Sequence, residues 1–317
     1  MISAEFHGPR LAHLSDLHLT SLNRVRLRDL ANKRVLGYLS WRFHRRTEHR
    51  REVLEALLCD LRDTKPDHVV ITGDLTHVGM PGEFAEAGEW LHARWPPSRA
   101  TVVPGNHDAY VSAAWDRTFA LWAPYMVSDS GQPDGNAGSS LRDMFPSVRV
   151  RDATALIGIS TARPSAPFLA VGTVGQAQLR KLERVLEETG RQGLFRIVLL
   201  HHSPAPGALA WRKRLTDGAE LRAVLARRGA ELVLHGHAHH ASLARLATPH
   251  GWAPAVGVPS ASAVGRKPER GARYNIYRVE HTTRGRYLLA SVRGYSRAEG
   301  RFTEEGGIRL KLPGPAA

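Results

Sequence analysis

Apolar residues along the chain follow two spacings, short continuous runs and stretches with a period near 3.6 residues. The runs predict strands at Arg10–Leu19, His68–Thr72, Thr101–Pro104, Val148–Arg151, Ala155–Ser160, Arg196–Leu200 and Glu231–Leu234. Between them, Glu48–Arg62 carries Val53, Leu54, Leu57, Leu58 and Leu61 on one helical face. Glu83–Ala93, Gln176–Glu188 and Thr216–Arg227 read as further helices. Strands alternating with helices predict a layered α/β fold rather than an all-β one. The last third is strand-rich, with Tyr274–Val279 and Tyr287–Val292 on either side of the turn-like Thr283-Arg284-Gly285. Gly- and Pro-rich breaks at Gln132–Gly138 and Pro249–Pro259 read as loops within the domain, because strands flank both. No repeat of solenoid period is present, and the tail Leu312–Ala317 is expected to fray. The pattern predicts one domain over residues 1–312, interrupted by a basic insertion at 24–51.

Composition narrows the class. The chain has 317 residues, of which 42% are hydrophobic and 23% charged, a balance that disfavours disorder, collagen-like repetition and coiled coil. No apolar run approaches the roughly 18 residues of a membrane span. Met1–Ser15 lacks the charged and apolar regions of a secretory signal. Cys59 is the only cysteine, which excludes intrachain disulfides and cysteine-cluster metal sites and makes a reducing cytoplasm the expected location.

The net charge of +14 is unevenly placed. Residues 24–51 carry ten Lys/Arg against Asp29 and Glu48, and residues 266–311 carry twelve against five Glu, so the rest is close to neutral. Nucleic acid, anionic lipid and phosphorylated substrates all suit such segments. Arginine outnumbers lysine 38 to 6, a bias that a GC-rich genome also produces.

Five blocks place Asp, Asn or His directly after an apolar run: Ser15-Asp16-Leu17-His18, Thr72-Gly73-Asp74, Gly105-Asn106-His107-Asp108, His201-His202 and His235-Gly236-His237-Ala238-His239. Polar groups at strand C-terminal ends converge on one sheet edge, where open α/β folds keep their sites. In an extended segment residues i and i+2 point the same way, so Asp16 and His18 can face one metal, as can His237 and His239. Taken singly, each block also reads as a turn or a solvated loop. All five in order supply two carboxylates, an amide and at least four imidazoles. That is too many ligands for one tetrahedral zinc, and it suits two divalent ions sharing a bridging carboxylate. Imidazole and carboxylate donors accept Mn, Fe or Zn, and Co or Ni as well.

The series D-x-H, G-D, G-N-H-D, H, G-H-x-H resembles that of the calcineurin-like metallophosphoesterase superfamily, complete and in order from Asp16 to His239. The resemblance implies a four-layer α-β-β-α sandwich of two mixed sheets flanked by helices, with two metals at one sheet edge. By match to its motifs, Asp16, His18 and His239 hold one metal, Asn106, His201 and His237 hold the other, and Asp74 bridges them. His202 then stands behind the ligands. His107 matches the histidine that serves the phosphoryl group, with Asp108 either orienting it or capping a following helix. The implied reaction is hydrolysis of a phosphodiester or phosphomonoester by a hydroxide held between the metals, with His107 protonating the leaving group.

Substrate is less determined. Leu75-Thr76-His77-Val78 lacks the acidic-arginine signature of the phosphoprotein phosphatase branch, and His201-His202-Ser203-Pro204 resembles the bacterial cyclic-nucleotide phosphodiesterases. The insertion interleaves Arg and Lys with Leu30, Val35, Leu36, Tyr38, Leu39, Trp41 and Phe43. That composition suits a surface helical pair packed on the body, an interfacial element on an anionic membrane, or a nucleic-acid groove. The membrane alternative brings in a nucleotide-linked lipid such as UDP-2,3-diacylglucosamine as substrate and peripheral docking on the inner membrane face. A third alternative is a membrane- or nucleic-acid-binding protein with weak nuclease or phosphatase activity.

Overall fold

The computed structural model describes residues 6–25, 27–30, 32–43, 45–130, 140–265, 270–283 and 285–313. Along the chain the strands are β1 (Phe6–His7), β2 (Leu11–Leu14), β3 (His68–Ile71), β4 (Ala100–Val102), β5 (Ser147–Arg151), β6 (Thr154–Gly158), β7 (Phe195–Leu199), β8 (Leu232–His235), β9 (Ser242–Thr248), β10 (Gly251–Gly257), β11 (Arg273–Thr282), β12 (Gly285–Ser296) and β13 (Arg301–Lys311). The α-helices are α1 (Arg34–Phe43), α2 (Arg51–Thr64), α3 (Pro81–His92), α4 (Ala123–Met126), α5 (Leu141–Met144), α6 (Gln176–Arg191) and α7 (Gly218–Arg228).

Two mixed sheets form the centre. One runs β13-β12-β11-β2-β3-β4 with β1 on β11, and the other runs β5-β6-β7-β8-β10-β9. β2, β3 and β4 are mutually parallel, as are β6, β7, β8 and β10. Alternation within β7 shows how the layers are held. Ile197 and Leu199 join the core between the sheets, whereas Val198 and Leu200 join the core under α6 and α7. Both faces of such a strand are buried, so its sequence is a continuous apolar run. On the other side, Val53, Leu57 and Leu61 of α2 and Phe84, Ala87 and Leu91 of α3 fill the core beside β2 and β3. Helices therefore flank both sheets, the α-β-β-α sandwich.

Four of the C-terminal arginines are paired with carboxylates in place. Arg293 donates to Asp60 on α2, Arg309 faces Glu280, and Arg273 and Arg301 pair with Glu305 and Glu299. The basic excess of this segment is thus partly neutralised by carboxylates around it.

Two expectations change and one is extended. Pro249–Pro259, read as a loop, contains β10, which lies between β8 and β9. Pro254 sits just before the residues paired with β8, on a stretch flanked by β9 alone, where a missing N–H is tolerated. The strand-rich last third carries one strand more than the two delimited above, β13, whose Thr303-Glu304-Glu305-Gly306-Gly307 stretch is polar and Gly-rich, as a solvated edge strand allows. Leu312 is buried, with its N–H on the Arg286 carbonyl, rather than frayed. The predicted loop Gln132–Gly138, Arg284 and residues 314–317 lie outside the described residues.

The insertion folds onto the body through part of its apolar surface. Its described residues hold one α-helix, α1, with short 3-10 turns on either side rather than a helical pair. Leu30 and Trp41 pack with Leu22, Val78 and Met80, and Arg34 donates to the carbonyls of Val78 (3.1 Å) and Gly79 (2.6 Å). Gly37 lies so close to Val78 and Tyr110 that no side chain fits there. Val35, Leu39 and Phe43 stay exposed on the opposite face of α1.

Candidate metal centre

The C-terminal ends of β2, β3, β4, β7 and β8 deliver all five motif blocks to one edge of the two sheets. The loops are tied to one another: Asp16 N–H donates to Gly73 O, His18 N–H to Asp74 O, and Gly236 N–H to His201 O. The predicted reason for pairing residues i and i+2 does not hold. Asp16 (φ 53°), His18 (43°), Asp74 (56°), His237 (67°) and His239 (54°) all occupy the left-handed region, not an extended one. Non-glycine residues pay conformational energy there, and such strain concentrates at functional sites. The flanking glycines admit this crowding. A Cβ on Gly236 would strike the Ser15 hydroxyl and the Asp16 carboxylate, and one on Gly105 would strike the Asp74 carboxylate.

Ligand atoms gather in two trios, Asp16–His18–His239 and Asp74–His201–His237. Their hydrogen bonds decide which atoms remain. His18 Nδ1 lies 2.8 Å from Thr76 O and His201 Nδ1 lies 2.6 Å from Thr72 O. A carbonyl only accepts, so both rings carry their proton on Nδ1 and turn a bare Nε2 lone pair inward. His237 is tied through Nε2 to Lys213 O at 3.0 Å, which leaves Nδ1. Asp16 Oδ2 accepts from Ser15 Oγ and His237 N–H, and Asp74 Oδ1 accepts from His107 N–H. The atoms left over, Asp16 Oδ1, His18 Nε2 and Asp74 Oδ2, are buried with no hydrogen-bond partner. His201 Nε2 faces Asp74 Oδ2 at 3.3 Å and the Asn106 side-chain oxygen at 3.1 Å. Buried lone pairs facing one another are costly unless a cation lies among them. The donor set therefore fits two divalent ions, with oxygen and imidazole nitrogen ligands.

Electrostatics agree. Burial works against a charged His201, but the Asp74 carboxylate beside it raises its pKa to about 9, so in the metal-free protein a proton takes the cation's place. Burial also opposes a charged Asp16, yet His239, His201 and His18 hold its carboxyl well below the usual range. Burial, then His49 and His77, push His18 far down, and burial with His202 and His201 does the same to His237. Neutral imidazole is the form that binds metal.

The remaining predicted residues fall nearby with different tasks. His107 Nδ1 lies 2.6 Å from His77 O, which orients the ring and leaves Nε2 without a partner among the described residues. Asp108 makes no hydrogen bond to the His107 ring, and no α-helix begins directly after it for it to cap. Its Oδ1 accepts from the N–H groups of Leu75 and Thr76 (both 3.0 Å), and its Oδ2 from those of Asp74 and Gly105 (both 2.9 Å). It fastens the loop after β3 to the loop after β4. Burial and the neighbouring Asp74 raise it to about 7. His202 uses both nitrogens, toward Thr161 Oγ1 and Ala170 O, and its ring stands 4.3 Å from that of His237.

Other residues enter the site unannounced by any motif. The His49 ring lies 4.4 Å from that of His18 and is anchored to Ser262 Oγ. Arg45 comes within 3.1 Å of His107. Glu83, at the start of α3, accepts from His77, Val78 and Met80 N–H groups, so it holds the loop whose carbonyl orients His107.

Comparisons with known proteins agree with this geometry. A probable cyclic nucleotide phosphodiesterase of Rhodococcus erythropolis is 28% identical over 251 residues, covering 77% of this chain and 70% of the relative. A dimetal phosphatase from Danio rerio superposes with a TM-score of 0.59 at 14% identity, over 96% of this chain and 99% of that one. GAP50, the anchor in the inner membrane complex of Plasmodium, shares the fold with a TM-score of 0.51 at 10% identity, over 98% and 90% of the two chains. Residues 9–241 match the calcineurin-like phosphoesterase family, whose members use two divalent metal ions. With that match spanning most of its length and both trios of donors in place, the chain belongs to the calcineurin-like phosphoesterase family and is a metal-dependent phosphoester hydrolase.

Proposed function

We propose that this hydrolase cleaves phosphodiesters, with cyclic nucleotides as the leading substrate class and phosphomonoesters as a secondary one. The observation that carries the reading is the convergence of unpartnered buried atoms on Asp16, His18 and Asp74, with His201 Nε2 facing Asp74, beside the oriented ring of His107. The name of the Rhodococcus erythropolis relative supports the substrate class. Asp16, His18 and His239 would hold one ion, Asn106, His201 and His237 the other, and Asp74 would touch both. Divalent ions (Mn, Fe or Zn) bound there supply Lewis acidity and make a bound water acidic near neutral pH. The protein's own groups do the rest. Thr76 O, Thr72 O and Lys213 O fix the tautomers of His18, His201 and His237. His107, tied by Nδ1 to His77 O, offers Nε2 to the leaving oxygen. Burial and Arg45 hold its pKa well below the usual range; an anionic ester beside the ring would favour the charged form, with Nε2 taking a proton from solvent and passing it to the leaving oxygen. We also read residues 1–312 as one domain, since β11, β12 and β13 complete the sheet begun by β2.

A panel assay with Mn²⁺-loaded protein tests this reading. An aryl phosphodiester and a cyclic nucleotide should turn over faster than an aryl monoester, and equal or reversed preference would contradict it.

A second reading has its own observation. Val35, Leu39 and Phe43 are 41%, 44% and 69% exposed along one face of α1, beside exposed Arg42 and Arg46. No helix among the described residues is long and apolar enough to cross a membrane, but this stripe suits the surface of an anionic one. It favours peripheral docking and a nucleotide-linked lipid substrate. Anionic liposomes should then stimulate lipid cleavage in the natural chain but not in Leu39→Glu/Phe43→Glu. Indifference to liposomes would exclude docking.

A further inference from the structure

Arg45 opens the turn Arg45–Thr47 directly after α1 and is placed from both sides. Trp41 anchors the preceding helix, and the Arg45 carbonyl accepts from the N–H groups of Glu48 and His49. His49 is in turn fixed to Ser262 at 2.7 Å. This framework aims the Arg45 guanidinium at His107, with Nη1 at 3.1 Å from Nδ1. The contact is not a satisfied hydrogen bond. His107 Nδ1 lies 2.6 Å from the His77 carbonyl, which can only accept, so Nδ1 carries the ring's proton. A guanidinium can only donate. Two donors therefore face each other, and Arg45 has no acceptor for its side chain among the described residues.

Nor does it form an ion pair with any described carboxylate. The acidic groups it feels are Asp74, Tyr110, Glu48 and Asp16, none within ion-pair distance, and Asp74 and Asp16 are committed to the two trios. A part-buried guanidinium that faces another donor and has no acceptor of its own is set up for an anionic ligand. The planar fork of arginine fits phosphoryl oxygens.

We propose that Arg45 binds a non-bridging phosphoryl oxygen of the substrate, so that the insertion at 24–51 supplies the site's anion clamp. The inference rests on the phosphoester reading above. It makes Arg45 a residue that holds the ester in register with His107, and it ties substrate affinity to how α1 packs on Val78 and Met80.

The test is calorimetric titration of inorganic phosphate into the Mn²⁺-loaded full chain, with metal content measured on the same samples. R45Q should retain both metals and bind phosphate roughly ten- to a hundredfold more weakly, the scale of a charge-assisted hydrogen bond. R45K should recover part of that loss, and R46Q, at the exposed neighbour, should match the natural chain. The KM for a soluble aryl phosphodiester should rise with R45Q by a similar factor. Phosphate affinity of R45Q within twofold of the natural chain, with both metals present, would overturn the proposal. If R45Q loses metal, R45A with added methylguanidinium decides: recovered phosphate binding supports the clamp, and no recovery overturns it. A natural chain that holds two metals and binds no phosphate would instead sink the phosphoester reading itself.

Discussion

Nε2 of His201 faces Oδ2 of Asp74 across 3.3 Å, with the ring's proton held on the far nitrogen by Thr72 O. Two lone pairs at that separation in a buried site need a cation. Asp74→Ala should abolish ester turnover and remove metal from the second trio at least. The His107 backbone N–H, which Asp74 Oδ1 accepts at 2.7 Å, also loses its partner. Turnover within tenfold of the natural chain would contradict the assignment.

Replacing His107 separates chemistry from metal binding. His107→Gln should keep both metals and slow turnover about 10²- to 10⁴-fold, the usual contribution of a positioned acid. Metal analysis alongside steady-state kinetics checks both halves.

Asp108 accepts from four backbone N–H groups on two loops. Asp108→Asn keeps the size but turns an NH₂ group toward donors. It should cost on the order of 2–3 kcal/mol of stability and weaken metal binding, read by denaturant melts and metal titration. An unchanged melting midpoint would show that the loops are held otherwise.

Acid should destabilise the fold independently of the metals. Burial holds His68 at about 3, with Arg151 and Arg149 adding to the depression, and burial then His235 hold His13 at about 3. Each is neutral when folded but titrates near 6.5 when unfolded, so the unfolded chain binds more protons between those values. Stability contributed by the neutral rings is complete above pH 6.5 and is lost as pH falls toward 3. Melts in chelator between pH 7 and 4 should show this decline, and His68→Gln should make it shallower. A flat profile would contradict the burial argument.

Much of this was readable from the chain because the ligands lie a few residues beyond local strand signals. Ile197-Val198-Leu199-Leu200 announces a strand, and His201 follows it directly. The helix α2 was legible because Val53, Leu57 and Leu61 repeat on one face. What was hidden is non-local. Arg45 meets His107 and His49 meets Ser262 only because the insertion folds back, and no spacing in the sequence encodes that. The role of Asp108 was concealed too, since its acceptors serve backbone N–H groups and the Thr76 hydroxyl rather than the His107 ring. β10 was hidden by its proline, Pro254, and the bounds of β13 by glycine and acidic residues, at positions that one-sided or edge pairing tolerates.

The most direct test is metal stoichiometry paired with activity on one preparation. Protein stripped by chelator and titrated with Mn²⁺ should gain phosphodiester turnover in step with binding of two ions per chain, and Asp74→Ala should break that relation. Full turnover with one ion or none bound, undiminished by chelator, would contradict the account.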